Sequence, residues 1–202
     1  MPFETDTQLT KLMHINIRTE KHGDESVTGV DLRFSLNTTN DALAMFSSTL
    51  KSALYMKDDS PQGEIEPDAS HLTMLKNPRM GAIKWDEKYD HARVVVHHGA
   101  SGREDIVFGD AKVNKFVIEP KEGGTVVIGY RVQGNPTEAE IGKLTSVLNQ
   151  EVQVTVDPEG GDEADDGDTD TGAGANAAAK EVEAQKNPAK RRGRRKQMDL
   201  VE

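Results

Sequence analysis

The chain has no cysteine among its 202 residues. Disulfides, thiolate nucleophiles, iron–sulfur clusters and cysteine-ligated zinc are therefore excluded, and a disulfide-stapled secreted scaffold with them. Apolar residues are also scarce, at 35% against 30% charged, so part of the chain lacks the surface needed to pack a core. No apolar run approaches the roughly 20 residues that span a bilayer. The opening Met1-Pro2-Phe3-Glu4-Thr5-Asp6 has neither the basic region nor the apolar core of a signal peptide. A cytoplasmic location with no membrane partner is the expectation. Aromatics are only 4% of the chain, with a single tryptophan, which leaves few rings for stacking on nucleic-acid bases.

What is present is charge, laid out in blocks. The net charge is -10. Residues 1–150 have a net charge of -5, residues 151–170 hold nine acids and no base, and residues 171–202 hold eight bases and four acids. Dense like-charge runs repel themselves and bury little, so they read as disordered. Pro158 and the Gly160-Gly161 pair mark an exit from the folded part. The expected division is a β-rich globular domain over 1–156, an acidic Gly/Asp linker over 157–176, and a basic tail with a terminal docking peptide over 177–202.

Within the expected globular domain, three segments alternate with a period of two. They are Val30/Leu32/Phe34/Leu36, Val126/Ile128/Tyr130/Val132 and Val152/Val154/Val156, each reading as a strand with one wet face. Weaker strand patterns fall at 13–18, 93–98, 105–108 and 112–119. Pro120-Lys121-Glu122-Gly123-Gly124 reads as a hairpin turn. Two segments have helical spacing instead. Leu43, Phe46, Leu50 and Leu54 predict a helix over 41–56 with Asn40 as N-cap. Asn135, Pro136 and Glu138 predict a second over 136–148, with Asn135 as N-cap. Short strands outnumber helices without regular alternation. The fold class is therefore mainly β: an antiparallel sandwich or barrel with two packed α-helices, plus a disordered C-terminal tail.

Few patterns suggest chemistry. His97 and His98 are adjacent on a strand and point to opposite faces, so they cannot share one metal in regular β geometry. With His91 they define the one metal-enzyme alternative, though no ligand spacing supports it. Gly99-Ala100-Ser101-Gly102 lacks the Lys and Ser/Thr of a phosphate loop. The carboxylate pairs Glu64/Glu66 and Glu138/Glu140 lie in loop or exposed-helix settings. No catalytic constellation emerges, and neither a cofactor nor a metal is expected. Lys84 and Trp85, with Lys76, Arg79 and Lys88 nearby, form a basic–aromatic group that can meet nucleic acid. The alternative is a core or edge aromatic with lysines lying alongside it.

The tail holds the denser signals. Lys190-Arg191-Arg192-Gly193-Arg194-Arg195-Lys196 puts six positive charges into seven residues, a pattern that binds polyanions. Arg191, Arg192, Arg194, Arg195 and Lys196 are the phosphate-contact candidates. The alternative is a solubilising tail that folds back on its own acidic linker.

Gln197-Met198-Asp199-Leu200-Val201-Glu202 resembles the peptide by which bacterial DNA polymerases and repair proteins dock on the sliding clamp, whose pattern is Gln-Leu-(Ser/Asp)-Leu-Phe. The resemblance implies Gln197, Met198 and Leu200 as docking residues. Val201 departs from the phenylalanine, which weakens the implied contact. Residues 8–156, on the strength of Leu9-Thr10-Lys11-Leu12-Met13-His14-Ile15-Asn16-Ile17-Arg18-Thr19-Glu20-Lys21-His22-Gly23 and Glu119-Pro120-Lys121-Glu122-Gly123-Gly124-Thr125-Val126, resemble uncharacterised early-region proteins of temperate phages and prophages. That resemblance implies a setting in DNA replication or recombination in the cytoplasm of a host cell, and it assigns no functional residue. An acidic tail after a β domain is similar to single-stranded-DNA-binding proteins, although those end in Ile-Pro-Phe.

The expectation is a non-catalytic phage-type accessory protein that binds single-stranded DNA or a host replication protein such as the sliding clamp, recruited through its basic tail. The alternative is a structural or host-enzyme-inhibiting interaction protein acting through the β domain alone. Homo-oligomerisation is left open.

Overall fold

A computed structural model describes residues 2–23, 25–58, 72–99 and 102–162. The chain divides into two units, Met1–Asp165 and Asp166–Glu202, and every described residue belongs to the first. The expectations placed on 163–202, Arg191, Arg192, Arg194, Arg195, Lys196, Gln197, Met198 and Leu200 among them, lie outside the described residues, as does the Glu64/Glu66 pair.

The elements in chain order are β1 (Thr5–His22), β2 (Glu25–Thr39), a 3-10 turn (Asn40–Met45), α1 (Leu50–Leu54), β3 (Tyr55–Met56), β4 (Met74–Leu75), β5 (Ile83–Val96), β6 (Ile106–Pro120), β7 (Thr125–Gly134), α2 (Glu138–Ser146), β8 (Glu151–Asp157) and a second 3-10 turn (Gly160–Asp162). Six strands close into an antiparallel barrel in the order β1-β2-β7-β6-β5-β8, while β3 and β4 form a separate two-stranded ladder. The mainly β, barrel reading of the sequence is borne out.

Alternation fills the barrel. Val30, Leu32, Phe34 and Leu36 on β2 point inward, opposite Val126, Ile128, Tyr130 and Val132 on β7, with Phe34 paired to Tyr130 and Leu32 to Val132. β6 contributes Ile106, Phe108, Val113, Phe116 and Ile118, and β8 contributes Val152, Val154 and Val156. All are buried, as a six-stranded interior too narrow for a cavity requires. Phe3, ahead of β1, is fully buried, with its ring centroid 5.1–5.6 Å from those of Phe46, Phe116 and Tyr130. Its backbone N–H donates to the Tyr89 hydroxyl at 2.9 Å.

The strands close because they bend. Register shifts occur in β1 at Met13, in β5 between Trp85 and Lys88 and again near His91, and in β6 between Asn114 and Val117. Each is a β-bulge, where an extra residue sharpens local twist. His91 and Lys115 sit in the left-handed region, at φ 63 and φ 55, which costs backbone energy in non-glycine residues.

Two helix boundaries correct the sequence reading. Residues 41–56 form no single helix. The 3-10 turn stops at Met45, α1 spans only Leu50–Leu54, and Tyr55 enters β3. The reason is local: Ser47 and Thr49 bond each other, and Ser52 Oγ donates to the Thr49 carbonyl, so side chains compete for the helix ladder. Asn40 is buried inside the 3-10 turn rather than capping it, and donates to the Leu72 carbonyl at 2.6 Å. The N-cap of α2 is Thr137, not Asn135. Glu140 N–H donates to Thr137 Oγ1, while Thr137 N–H donates back to Glu140 Oε2. That reciprocal box satisfies two orphan amides and fixes the start. Asn135 instead donates to the Thr28 carbonyl. The turn predicted at Pro120–Gly124 is present over 121–124, with Pro120 still the last residue of β6 and with Gly123 and Gly124 both at positive φ. Among the described residues, no helix is long and apolar enough to cross a membrane.

Candidate functional site

The outward-facing residues of β2, β7, β6 and β5 line up across the ladder. Ser35 pairs with Gly129, Gly129 with Val117, and Val117 with Lys84. One step along, Arg33 pairs with Arg131, and Arg131 with Asn114. This wall is indented by an open depression of about 720 Å³, within the usual range for ligand sites. Its cations are Arg33, Lys84, Lys115 and Arg131, against one acid, Asp86; Met13 and Val117 supply apolar surface and Trp85 also lines it.

Three of the barrel's register shifts converge here. Met13 is the bulged residue of β1, Asp86 lies in the β5 irregularity, and Lys115 lies in the β6 irregularity with its φ of 55. Bulges re-aim side chains, and these three aim at the same depression.

A polar brace holds one rim. Arg131 Nε donates to Asn114 Oδ1 at 2.9 Å, Asn114 Nδ2 to Gln133 Oε1 at 3.2 Å, and Gln133 Nε2 to Asp31 Oδ1 at 2.7 Å. Arg18 closes the chain by pairing with Asp31 and with Glu20. Burial pushes the Asp31 carboxyl up, but the Arg18 guanidinium and the Asn16 and Gln133 amides outweigh it and hold the group below its ordinary range. Arg131 is thereby fixed in place, with Nη1 3.8 Å from Asp31. Arg33, Lys84 and Lys115 have no ion-pair partner among the described residues. The site thus presents one braced and three uncompensated cations.

The structure brings Lys84 and Trp85 together in this depression. Lys84 is exposed. Trp85 is half-buried, stands edge-on to Phe46 at 5.9 Å, and donates from Nε1 to Glu87 Oε2 at 3.0 Å. It is an edge of the core that reaches the site, not a free stacking platform. Lys76, Arg79 and Lys88 do not line the depression. Sequence reasoning missed Arg33, Lys115, Gly129 and Arg131. The first and the last two lie at the outward positions of the two clearest alternating strands, so their signal was present, but only strand pairing assembles them.

The histidines take separate partners. His91 Nδ1 meets Asp110 Oδ1 at 2.7 Å. His97 Nδ1 meets Asp105 Oδ2 at 2.8 Å, and its Nε2 meets Thr155 Oγ1 at 2.9 Å. His98 contributes its backbone N–H to Asp105 Oδ1. Among the described residues, no three histidine, aspartate or glutamate side chains gather as metal ligands would. Thr155 Oγ1 also accepts the Thr7 amide at 3.0 Å, so the Asp105–His97–Thr155 set stitches the β5–β6 connection to β8 and β1.

No family model, curated protein or solved structure matches this chain.

Proposed function

We propose that this protein is a non-catalytic accessory protein of phage-type DNA replication or recombination, and that its barrel binds single-stranded DNA on the outer wall of β2, β7, β6 and β5. The observation behind this reading is the cluster of Arg33, Lys84, Lys115 and Arg131 around one depression in a chain whose net charge is -10. Cations gathered against the overall charge create a local field for phosphate that the whole molecule lacks. The Lys190–Lys196 run adds a second polyanion-binding element, and Gln197, Met198 and Leu200 supply the recruiting peptide for the host clamp.

The test is fluorescence anisotropy of a labelled oligonucleotide against the full chain. Replacing Lys84 and Lys115 together by glutamate is expected to weaken binding at least tenfold and to flatten the salt dependence, each lost single-strand phosphate contact lowering the log–log slope by about 0.7. Unchanged affinity in that double variant refutes the barrel assignment. Deleting residues 190–202 isolates the tail: clamp or DNA binding should fall while the melting temperature stays put.

A second reading, an interaction protein acting through the β domain alone, is favoured by β1. Leu9, Met13 and Ile17 are 55%, 47% and 53% exposed there, and from Met13 onward β1 is laddered to β2 alone among the described strands. A defined oligomer by light scattering supports this reading.

A further inference from the structure

We infer that the depression over Gly129 is a subsite for a nucleobase, so that the barrel grips single-stranded DNA by a flat ring as well as by its phosphates. This rests on the proposed function and assigns a ligand group to the same site.

Gly129 is the centre of the cross-strand row, between Ser35 and Val117. A glycine inside a strand weakens it, and usually marks a bulge or a close approach by another group. Packing does not explain it here, and neither does backbone conformation. The register is regular on the β2 side; on the β6 side the Asn114–Val117 bulge adjoins Gly129, but the extra residue belongs to β6, and the φ of Gly129 itself lies outside the left-handed region. A Cβ built on it would come no closer than 3.7 Å to Val117 and 3.9 Å to the Phe34 carbonyl, which is ordinary contact. The fold would accept a side chain, whereas the depression would be filled by one. The absent side chain leaves an apolar strip of backbone beside the Val117 methyls, the surface a planar ring covers.

The surroundings match a base that carries phosphate. Met13 borders the strip with a thioether, which makes favourable contact with aromatic edges. Asp86 on the rim is an acceptor for a base N–H, a group that a bare phosphate lacks. Arg33 and Arg131 face each other directly across the β2–β7 ladder, and like charges in that relation repel unless an anion lies between them. Lys84 ends the row on the far side of Val117 from Gly129, and Lys115 lies in the β6 bulge between Asn114 and Val117. Phosphates on both sides of a ring are what a nucleotide within a strand presents, and a paired duplex would withhold the ring.

Trp85 lines the site and is the sole tryptophan, so its emission reports occupancy. The experiment titrates the full chain with a short oligothymidylate, with an abasic oligomer of the same length and charge, and with thymidine monophosphate. Gly129→Val is titrated alongside, with thermal melting as the fold check. The expected result is at least tenfold tighter binding of the oligothymidylate than of the abasic oligomer. Gly129→Val should erase that preference without lowering the melting temperature, since valine suits a strand. Equal affinity for base-bearing and abasic strands overturns the base subsite and leaves DNA binding through phosphates standing. Binding of the monophosphate but neither strand keeps the ring subsite and overturns the DNA reading. No change in Trp85 emission and no binding with any probe overturns both. If Gly129→Val does not fold, the abasic comparison on the unmodified chain still decides.

Discussion

Arg33 on β2 and Arg131 on β7 are register partners on the outer wall of the barrel. Only Arg131 is compensated, through Asn114 at 2.9 Å and Asp31 at 3.8 Å. The pair is therefore a local cost to the sheet, and an anion between the two guanidiniums would relieve it.

Arg33→Ala separates binding from stability. Removing the uncompensated member should leave the melting temperature unchanged or raise it by about 1–3 °C. The same change should weaken oligonucleotide binding and lower the salt slope by about 0.7. Melting curves and titrations at two salt concentrations check both. A fall in stability with unaltered binding would make Arg33 a structural residue and remove it from the site.

The Asp31 brace predicts an acid limb to stability. Its folded-state carboxyl is lowered, burial working against this and Arg18 outweighing burial. A lowered carboxyl binds fewer protons in the folded state than in the unfolded one. Its contribution is complete above the unfolded value of about 4 and disappears as pH falls through the lower folded value. Urea midpoints taken from pH 7 downward should therefore drop below about pH 4. Asp105, also lowered overall despite burial, by the His98 amide and His97, shares this limb. Asp31→Asn should shrink the drop without removing it, and should release Arg131 from its fixed position, weakening oligonucleotide binding several-fold at neutral pH. An acid limb identical in Asp31→Asn would exclude the carboxyl as its source.

The barrel was legible in the sequence where strands are regular. β2 and β7 alternate without a break across Val30–Leu36 and Val126–Val132, and their inward stripes were read residue for residue. β1 and β5 are long strands whose phase flips at Met13, near Asp86 and at His91. A period-two reading loses them at each flip, and β6 was cut in two at the Gly109–Asp110 irregularity for the same reason. Bulge placement answers to barrel closure, a tertiary demand that local hydropathy does not encode. The site suffered from the same gap. Lys84 and Trp85 were visible as sequence neighbours. Arg33, Lys115 and Arg131 come from three other stretches of chain, and only the β2–β7–β6–β5 register gathers them. Phe3 lay outside every periodic segment, yet it fills one end of the core because its ring meets Phe46, Phe116 and Tyr130.

Thr155→Val tests whether the Asp105–His97–Thr155 set is a structural stitch. The substitution keeps the shape of the side chain and the β propensity of β8, and removes one oxygen. That oxygen serves two elements at once, meeting His97 Nε2 at 2.9 Å and accepting the Thr7 amide at 3.0 Å. Thr7 is itself strained, at φ 49 in the β1 irregularity, so its amide has no regular ladder partner to return to. Losing the hydroxyl should cost about 1–2 kcal/mol, the scale for partly buried groups left unpaired. Thr155→Ser should restore most of it. His97→Ala should cost a similar amount, and the double variant should cost clearly less than the two singles together, because both remove one shared contact. Chemical denaturation of the four proteins measures this. Oligonucleotide affinity should not move in any of them, since none of these residues lines the depression. Strict additivity would show that His97 and Thr155 act independently, and β8 would then be held to the β5–β6 connection by its ladder alone.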